Sequence, residues 1–294
     1  MSSIKRAELD LREKNRVEGG MLYLVATPIG NLADLSERAI KVLSEVDFIA
    51  AEDTRNSLKL LSALGIHAEL VSYHEHNKHS SGERIIARLL GGESCALITD
   101  AGMPAISDPG EDIVRLAAEA GVTVTVVPGA CAAVSALSLS GLSTARFAFE
   151  GFLPVKSGER KKRLDAVRSE ERTMIFYEAP HKLKNTLSDM EDVFGAERKI
   201  SLCRELTKLN EEIKRTTIKE AIKFYEEKEP RGEYVLIVEG AEKVSADSEL
   251  LSLSAVEHVE FYVSLGLSKM DAIKKAARER GVSKSEIYKL LAND

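Results

Sequence analysis

The pattern that most limits what this chain can fold into is a repeat of strand, tight turn and helix. Leu22–Ala26 is a short apolar run closed by Thr27-Pro28-Ile29-Gly30, and Phe48–Ala51 is a second. Ala96–Thr99 and Val122–Val127 read the same way, as strands without polar alternation. A strand apolar on both faces suits a parallel sheet covered on each side by helices. The segments between supply such helices. Ser36–Leu43 groups Ala39, Ile40 and Leu43 behind a Ser36 N-cap, Ser57–Leu64 stops at Gly65, and Ile85–Leu90 ends a third helix at Gly91-Gly92. The expectation is an α/β domain over residues 21–143, preceded by a flexible N-terminal arm over residues 1–20.

After Gly141 the order of elements changes. Phe147–Phe152, Thr173–Tyr177, Ile200–Arg204 and Tyr234–Val238 read as strands, with helices at His181–Phe194 and Ile218–Glu226. Glu211–Thr217 mixes charge with β-branched residues, as a half-exposed antiparallel strand does. A second α/β domain is therefore expected over residues 146–240, joined through Gly141–Ala145. A polar, Ser- and acid-rich link over residues 241–253 leads to a helical tail, residues 255–294. There Ser268–Arg280 turns Ala272, Ile273, Ala276 and Ala277 inward, Gly281-Val282 makes a turn, and Ser283–Leu291 forms a second helix. That is the outline of a helix-turn-helix, and equally of a solvated helical cap.

Composition narrows the class. With 44% hydrophobic and 30% charged residues among 294, the chain has the make-up of a core-forming protein. No run reaches the roughly 18 to 20 apolar residues of a membrane span. Cys95, Cys131 and Cys203 are far apart with no Cys-x-x-Cys pair, which points to reduced thiols in a cytoplasmic protein. The net charge of −6 means that any nucleic acid must be met by local basic residues. The tail has such an excess: Gly266–Asp294 holds seven Lys/Arg against four acids, a difference of +3.

Three loops carry the chemical signal. No Gly-x-Gly-x-x-Gly follows any strand, so a Rossmann dinucleotide site is not indicated. Instead, Val25–Asp34 leaves the first strand through Gly30, where the backbone can approach a ligand closely. Leu97-Ile-Thr-Asp-Ala-Gly-Met-Pro-Ala-Ile-Ser-Asp-Pro-Gly110 packs two glycines, two prolines and two aspartates into one connection, with Asp100 suited to a cationic or hydroxyl group. Val126–Ser135 is rich in small residues that would let a flat group lie on the backbone. Each alone is also an ordinary βα turn; all three lie at the carboxyl ends of strands, where open α/β sheets bind ligands.

In this order, and with Phe176-Tyr-Glu-Ala-Pro-His-Lys-Leu183 and Gly232-Glu-Tyr-Val-Leu-Ile-Val-Glu-Gly240, these loops resemble the tetrapyrrole methylase family. Within it, Ala51-Glu-Asp-Thr-Arg55, Ser72-Tyr-His-Glu-His-Asn77 and Thr99-Asp-Ala-Gly-Met-Pro104 are similar to the branch that 2′-O-methylates a cytidine of small-subunit (16S) ribosomal RNA. The likeness runs from Met21 to Gly240 and continues into the tail. It implies a two-domain α/β fold with S-adenosyl-L-methionine in the cleft between domains, plus a small C-terminal helical domain. A homodimer acting on small-subunit ribosomal RNA or the assembled 30S subunit is implied with it.

By position, the resemblance implies that Ile29 and Gly30 border the cofactor. Asp100, Gly102, Met103 and Ile106 would hold its methionine part, and Cys131 and Ala132 its ribose or adenine. Tyr177 and Tyr234 would close the far side. Met103 stands where relatives often carry Asp or Thr, and Cys131 where Ser is frequent. Methyl transfer to a ribose hydroxyl also needs that hydroxyl aligned and its proton accepted. The catalytic candidates are Glu52, Asp53, Arg55, Asp100 and Glu205, with Glu178 a further possible base. Glu52-Asp-Thr-Arg55 follows a buried strand directly, although Asp53 or Thr54 would serve equally as a helix cap. Arg55, Arg204, Lys208, Lys284 and Lys289 are the candidates for RNA phosphate. His74, His76 and His79 have metal-like spacing but no thiol partner, and the chemistry needs no Lewis acid, so no metal is expected. Two rival readings remain: a methylase of the same fold acting on a tetrapyrrole, corrinoid or protein residue, and a non-catalytic RNA-binding module.

Overall fold

The computed structural model describes residues 16–242 and 250–292. Most of the expected N-terminal arm, residues 1–15, lies outside them, as do residues 243–249 of the link and the last two residues. The chain divides into two compact units at Gly240.

The first unit holds two five-stranded sheets. Strands β1 (Met21–Val25), β2 (Phe48–Ala51), β3 (Glu69–Ser72), β4 (Cys95–Ile98) and β5 (Thr123–Val127) form a parallel sheet in the order β3-β2-β4-β1-β5. The central strands β2 and β4 are buried at every position, as the apolar runs require when helices cover both faces. Val122–Val127 departs from the expected uniform burial. Its Val residues alternate with Thr123 and Thr125, and β5 is an edge strand with Thr123 and Val126 exposed. Strand β3 was not legible in the sequence: four residues on the opposite edge, none of them fully buried, carry little periodic signal.

The second sheet runs β6-β7-β10-β8-β9 through β6 (Phe147–Phe152), β7 (Thr173–Glu178), β8 (Lys199–Arg204), β9 (Glu212–Thr217) and β10 (Tyr234–Val238). Only β6 and β7 are parallel; β9 pairs antiparallel with β8, as its mixed composition suggested. The expected boundary near residues 141–145 lies between the sheets but does not separate two cores. Helix Ala132–Leu139, which precedes that boundary, turns Ala133, Ala136 and Leu137 onto Ile175, Cys203, Val235 and Ile237 of the second sheet. The two sheets are thus joined through a shared apolar cluster.

Residues 16–20 are packed rather than loose. Glu18 N donates to the Tyr23 hydroxyl, Gly20 N donates to Glu93 O, and Gly19 lies so close to Gly92 O that a Cβ would stand 2.4 Å from it.

The described residues of the second unit form helices Ala255–Ser264, Lys269–Arg280 and Lys284–Ala292. Ala272, Ile273, Ala276 and Ala277 face inward together with Val259, Tyr262 and Ile287. This unit begins before residue 255, because Leu250 is buried in the same cluster. Arg280 donates to the carbonyls of Leu250, Leu253 and Ser254 and to His258 Nδ1. Arginine can only donate, so His258 carries its proton on Nε2 and gives it to Glu279 at 3.0 Å.

Candidate active site

The carboxyl ends of β1, β4 and β5 and one end of the second sheet enclose a cavity of about 440 Å³. Four loops shape it. The loops after β1 and β4 are tied by two backbone hydrogen bonds, Thr27 N to Gly102 O at 2.9 Å and Gly102 N to Thr27 O at 3.1 Å. Gly102 holds φ +89, and a Cβ there would press on Ile29 Cγ2 at 3.2 Å. Every described non-glycine residue with positive φ lies in two of these loops: Ala105 and Ser107 after β4, Glu205 and Thr207 after β8. Backbone in that region costs on the order of 1 to 3 kcal/mol per residue and gathers where a ligand site demands a shape.

Ile29, Gly102, Met103, Ile106, Cys131 and Ala132 all line the cavity from the first sheet's side. Tyr177 and Tyr234 line it from the second. Tyr177 packs edge-on against Phe149 and Phe152 (ring centroids 5.1 and 5.4 Å), and its hydroxyl accepts from Ala133 N at 3.2 Å. Burial pushes its phenol up to about 12, so it stays a neutral hydroxyl. Tyr234 is 3% exposed, packs on Tyr225 in the core of the second sheet and also lines the cavity.

Gly30 and Asp100, both expected at the cofactor, lie outside the cavity lining. Gly30 instead makes room for the loop after β8: a Cβ there would stand 2.4 Å from Lys208 Cγ and 2.9 Å from Thr207 Oγ1. Asp100 is exposed and accepts from Asn56 Nδ2 at 2.9 Å, alongside the residues that leave β2. There Asp53 caps helix Thr54–Ala63 through Arg55 N at 2.9 Å and grips the Arg55 guanidinium at 3.1 and 2.8 Å. Those bonds to Arg55 hold Asp53 down to about 2, while burial and the charges of Asp100 and Asp53 push Glu52 above the ordinary glutamate range. The cap and the charged edge are the same residues.

The remaining expected bases are occupied. Glu178 is buried and accepts from Ala179 N at 2.8 Å and from Thr186 Oγ1 of helix Pro180–Phe194 at 2.5 Å. Glu205 accepts from Lys208 Nζ and Glu233 N, both at 3.0 Å. Burial raises the Glu205 carboxyl, but these bonds and the Lys208 and Arg204 charges outweigh it and leave it lowered. Lys208 also holds Glu233 at 2.8 Å, and Arg204 is committed to Glu212 at 3.0 Å, so neither basic group stands free toward solvent phosphate.

Lys284 and Lys289 are exposed and enter no ion pair among the described residues. Of the other tail cations, Arg280 is structural and Lys274 pairs with Asp271. The histidine loop is organised by Asn77, whose Oδ1 accepts from His74 N at 2.8 Å. Among the described residues no group of three or more His, Cys, Asp or Glu side chains is placed to hold a metal ion.

Asp108, Phe152, His181 and Cys203 line the cavity without having been assigned to it from sequence. Asp108 had a signal, since it is the second aspartate of the restricted loop, between Ser107 and Pro109.

These loops, on these two sheets, define a class. The chain belongs to the tetrapyrrole (corrin/porphyrin) methylase family, which matches residues 21–222. Two solved structures share the fold: diphthine synthase, at TM-score 0.59 and 14% identity over 74% of this chain and 89% of that one, and uroporphyrin-III-C-methyltransferase from Thermus thermophilus, at TM-score 0.50 and 21% identity over 74% and 94%. In sequence the chain is similar to proteins named ribosomal RNA small subunit methyltransferase I. Those of Halalkalibacterium halodurans and Bacillus subtilis are each 50% identical, over 94% and 92% of this chain and 96% and 93% of theirs. That of Pseudomonas aeruginosa is 47% identical over 92% of this chain and 96% of its own.

Proposed function

We propose that this chain transfers a methyl group from S-adenosyl-L-methionine to a ribose 2′-hydroxyl of a cytidine in small-subunit ribosomal RNA. The observation that carries the reading is the cavity of about 440 Å³ under strained loops of both sheets, in a chain 50% identical over nearly its whole length to relatives named for that RNA. Pockets of roughly 300 to 1,000 Å³, mostly apolar with a few placed polar groups, suit a ligand of the cofactor's size.

The residues fit that cofactor. Gly102 leaves open backbone where a side chain would wedge against Ile29, and Gly102 with Met103 and Ile106 would hold the amino-acid end. Cys131, Ala132 and the Tyr177 ring would take the nucleoside, with Ile29 and Tyr234 closing the walls. S-adenosyl-L-methionine supplies an electrophilic sulfonium methyl group. The chain's own part is to fix it, exclude water and align the hydroxyl, a contribution that positioning alone makes large.

The charged edge of Glu52, Asp53, Arg55 and Asp100 beside the cavity is where the RNA would be held, with Arg55 the exposed cation of the group. Arg204, Lys208 and Glu205 would act indirectly, by holding the loop after β8 in shape. Lys284 and Lys289 would meet phosphate from the second unit. The cellular setting is cytoplasmic, and the chain acts as a homodimer, as the family resemblance implies.

The deciding experiment supplies radiolabelled cofactor with 30S subunits, naked small-subunit RNA, a tetrapyrrole or a peptide pool. Label recovered as 2′-O-methylcytidine after nuclease digestion is the expected result. Label on the tetrapyrrole or peptide alone would replace the RNA reading with a different substrate on the same fold.

A further inference from the structure

Four carboxyl side chains line the cavity: Asp108, Glu178, Glu205 and Glu233. Three are held by the protein. Glu178 receives Ala179 N and Thr186 Oγ1, Glu205 receives Glu233 N and Lys208 Nζ, and Glu233 receives Lys208 Nζ. Asp108 enters no hydrogen bond or ion pair among the described residues. A half-buried carboxyl left without a donor is not explained by the fold's own needs.

Its backbone setting is built. Ala105 and Ser107 hold φ +67 and +63, and the Gly110 backbone lies against Ala105, where a Cβ would stand 2.9 Å from Ala105 N. The loop therefore depends on strain at two residues to present Asp108 to the cavity. The groups that bear on Asp108 electrostatically are Glu52 at the end of β2, Asp100 after β4 and Tyr177 on β7. His181, Glu178, Glu205, Glu233 and Lys208 share the cavity. Asp108 thus joins the charged edge to the cavity.

We propose that Asp108 is the catalytic base of the methyl transfer, accepting the proton of the attacking ribose hydroxyl. This rests on the methyltransferase reading above. The hydroxyl oxygen bonds to the methyl carbon as the carbon–sulfur bond breaks, the electron pair stays on sulfur, and the hydroxyl proton passes to the Asp108 carboxylate and then to water. Burial first, then the charges of Glu52 and Asp100, push the Asp108 carboxyl up to about 6. It is ionised at neutral pH yet more basic than an ordinary aspartate, the compromise general-base catalysis favours.

The test compares wild type with Asp108→Asn, Glu52→Gln and His181→Gln. Single-turnover transfer to 30S subunits is read from about pH 5 to 9, with calorimetry of S-adenosylhomocysteine and the Tm of the ligand-free proteins. Asp108→Asn lowers the transfer rate by at least about 100-fold, the usual scale of a general base, and leaves S-adenosylhomocysteine affinity within about twofold. Wild type loses rate as pH falls through about 6. Glu52→Gln moves that limb to lower pH by removing a facing negative charge. His181 shares the cavity, so the limb must persist in His181→Gln.

The ligand-free protein gives an independent sign. Because the folded carboxyl sits above its ordinary value of 3.8, the folded state binds the extra proton, and its stabilising effect is lost as pH rises through about 6. Asp108→Asn therefore has a higher Tm than wild type at about pH 8 and an equal one at about pH 4.

Wild-type transfer to RNA with Asp108→Asn within about tenfold of it overturns this inference alone. So does a parallel fall in S-adenosylhomocysteine affinity, which would make Asp108 a ligand of the cofactor's amino group. No transfer to RNA by wild type overturns the methyltransferase reading and this inference with it. If Asp108→Asn does not fold, an unmoved limb in Glu52→Gln overturns it.

Discussion

Gly102 ties the loop after β4 to the loop after β1 beside the cavity, and two physical reasons require glycine there. Its φ of +89 is a region L side chains rarely adopt, and a Cβ would press on Ile29 at 3.2 Å. Gly102→Val is expected to abolish S-adenosyl-L-methionine binding in calorimetry while circular dichroism stays native; unchanged affinity in the folded variant removes this loop from the cofactor site. Asp53 combines a cap with an ion pair, and a paired substitution separates them. Asp53→Ser keeps a side-chain oxygen for Arg55 N but releases the guanidinium, whereas Asp53→Ala loses both. Both variants, and Arg55→Ala, are expected to lower methyl transfer about tenfold, roughly 1.4 kcal/mol in the barrier. Asp53→Ala alone also loses stability in urea, because the helix N-terminus is left without its cap. If Asp53→Ser retains full activity, the residue is a cap and nothing more.

At the scale of elements, the cavity depends on helices anchored well away from it. Helix Pro180–Phe194 starts at the cavity with Pro180 and His181, and its far half is bound by Asp189 to Arg160 on helix Ser157–Ala166. The guanidinium donates at 2.7 and 2.6 Å, and both side chains are less than 10% exposed. Removing one partner of such a pair strands a buried charge, at about 3 to 5 kcal/mol. Asp189→Ala is expected to show a loss of that order in urea unfolding. A loss below about 1 kcal/mol would mean that Arg160 reaches other acceptors or water. The short helix Ala132–Leu139 has a different function: its small inward residues let it lie directly on the second sheet.

For the whole molecule, the division at Gly240 separates the cavity-bearing unit from a helical one whose basic excess is confined to Gly266–Asp294. The second unit has its own apolar cluster and a buried network in which Arg280, His258, Glu279 and Tyr262 satisfy one another, so charge changes on its surface need not disturb the cavity. Lys284→Glu with Lys289→Glu is expected to weaken RNA binding. The log–log salt slope should fall by about 0.7 to 0.9 for each phosphate that is no longer neutralised. S-adenosyl-L-methionine affinity should stay at the wild-type value. An unchanged salt slope, measured by filter binding across several salt concentrations, would make the second unit a helical cap without a role in RNA binding.

The sequence by itself determined the elements whose burial is extreme or periodic. The uniformly apolar β2 and β4, the Ser36 cap and the inward alanines of Lys269–Arg280 read directly, because local pattern and tertiary environment agree there. The loops around the cavity were legible for a related reason: dense glycine and proline mark unusual backbone wherever the chain goes next. Only the tertiary structure decided what depends on partners distant in sequence. Lys208 meets Glu233 across 25 residues, Glu178 meets Thr186 in the next element, and Gly30 opens onto Thr207 and Lys208. None of those distances is encoded in a local period. Asp108 is the clearest case, since its place in the cavity, its lack of a donor and its facing carboxylates all follow from chain segments that the sequence keeps apart.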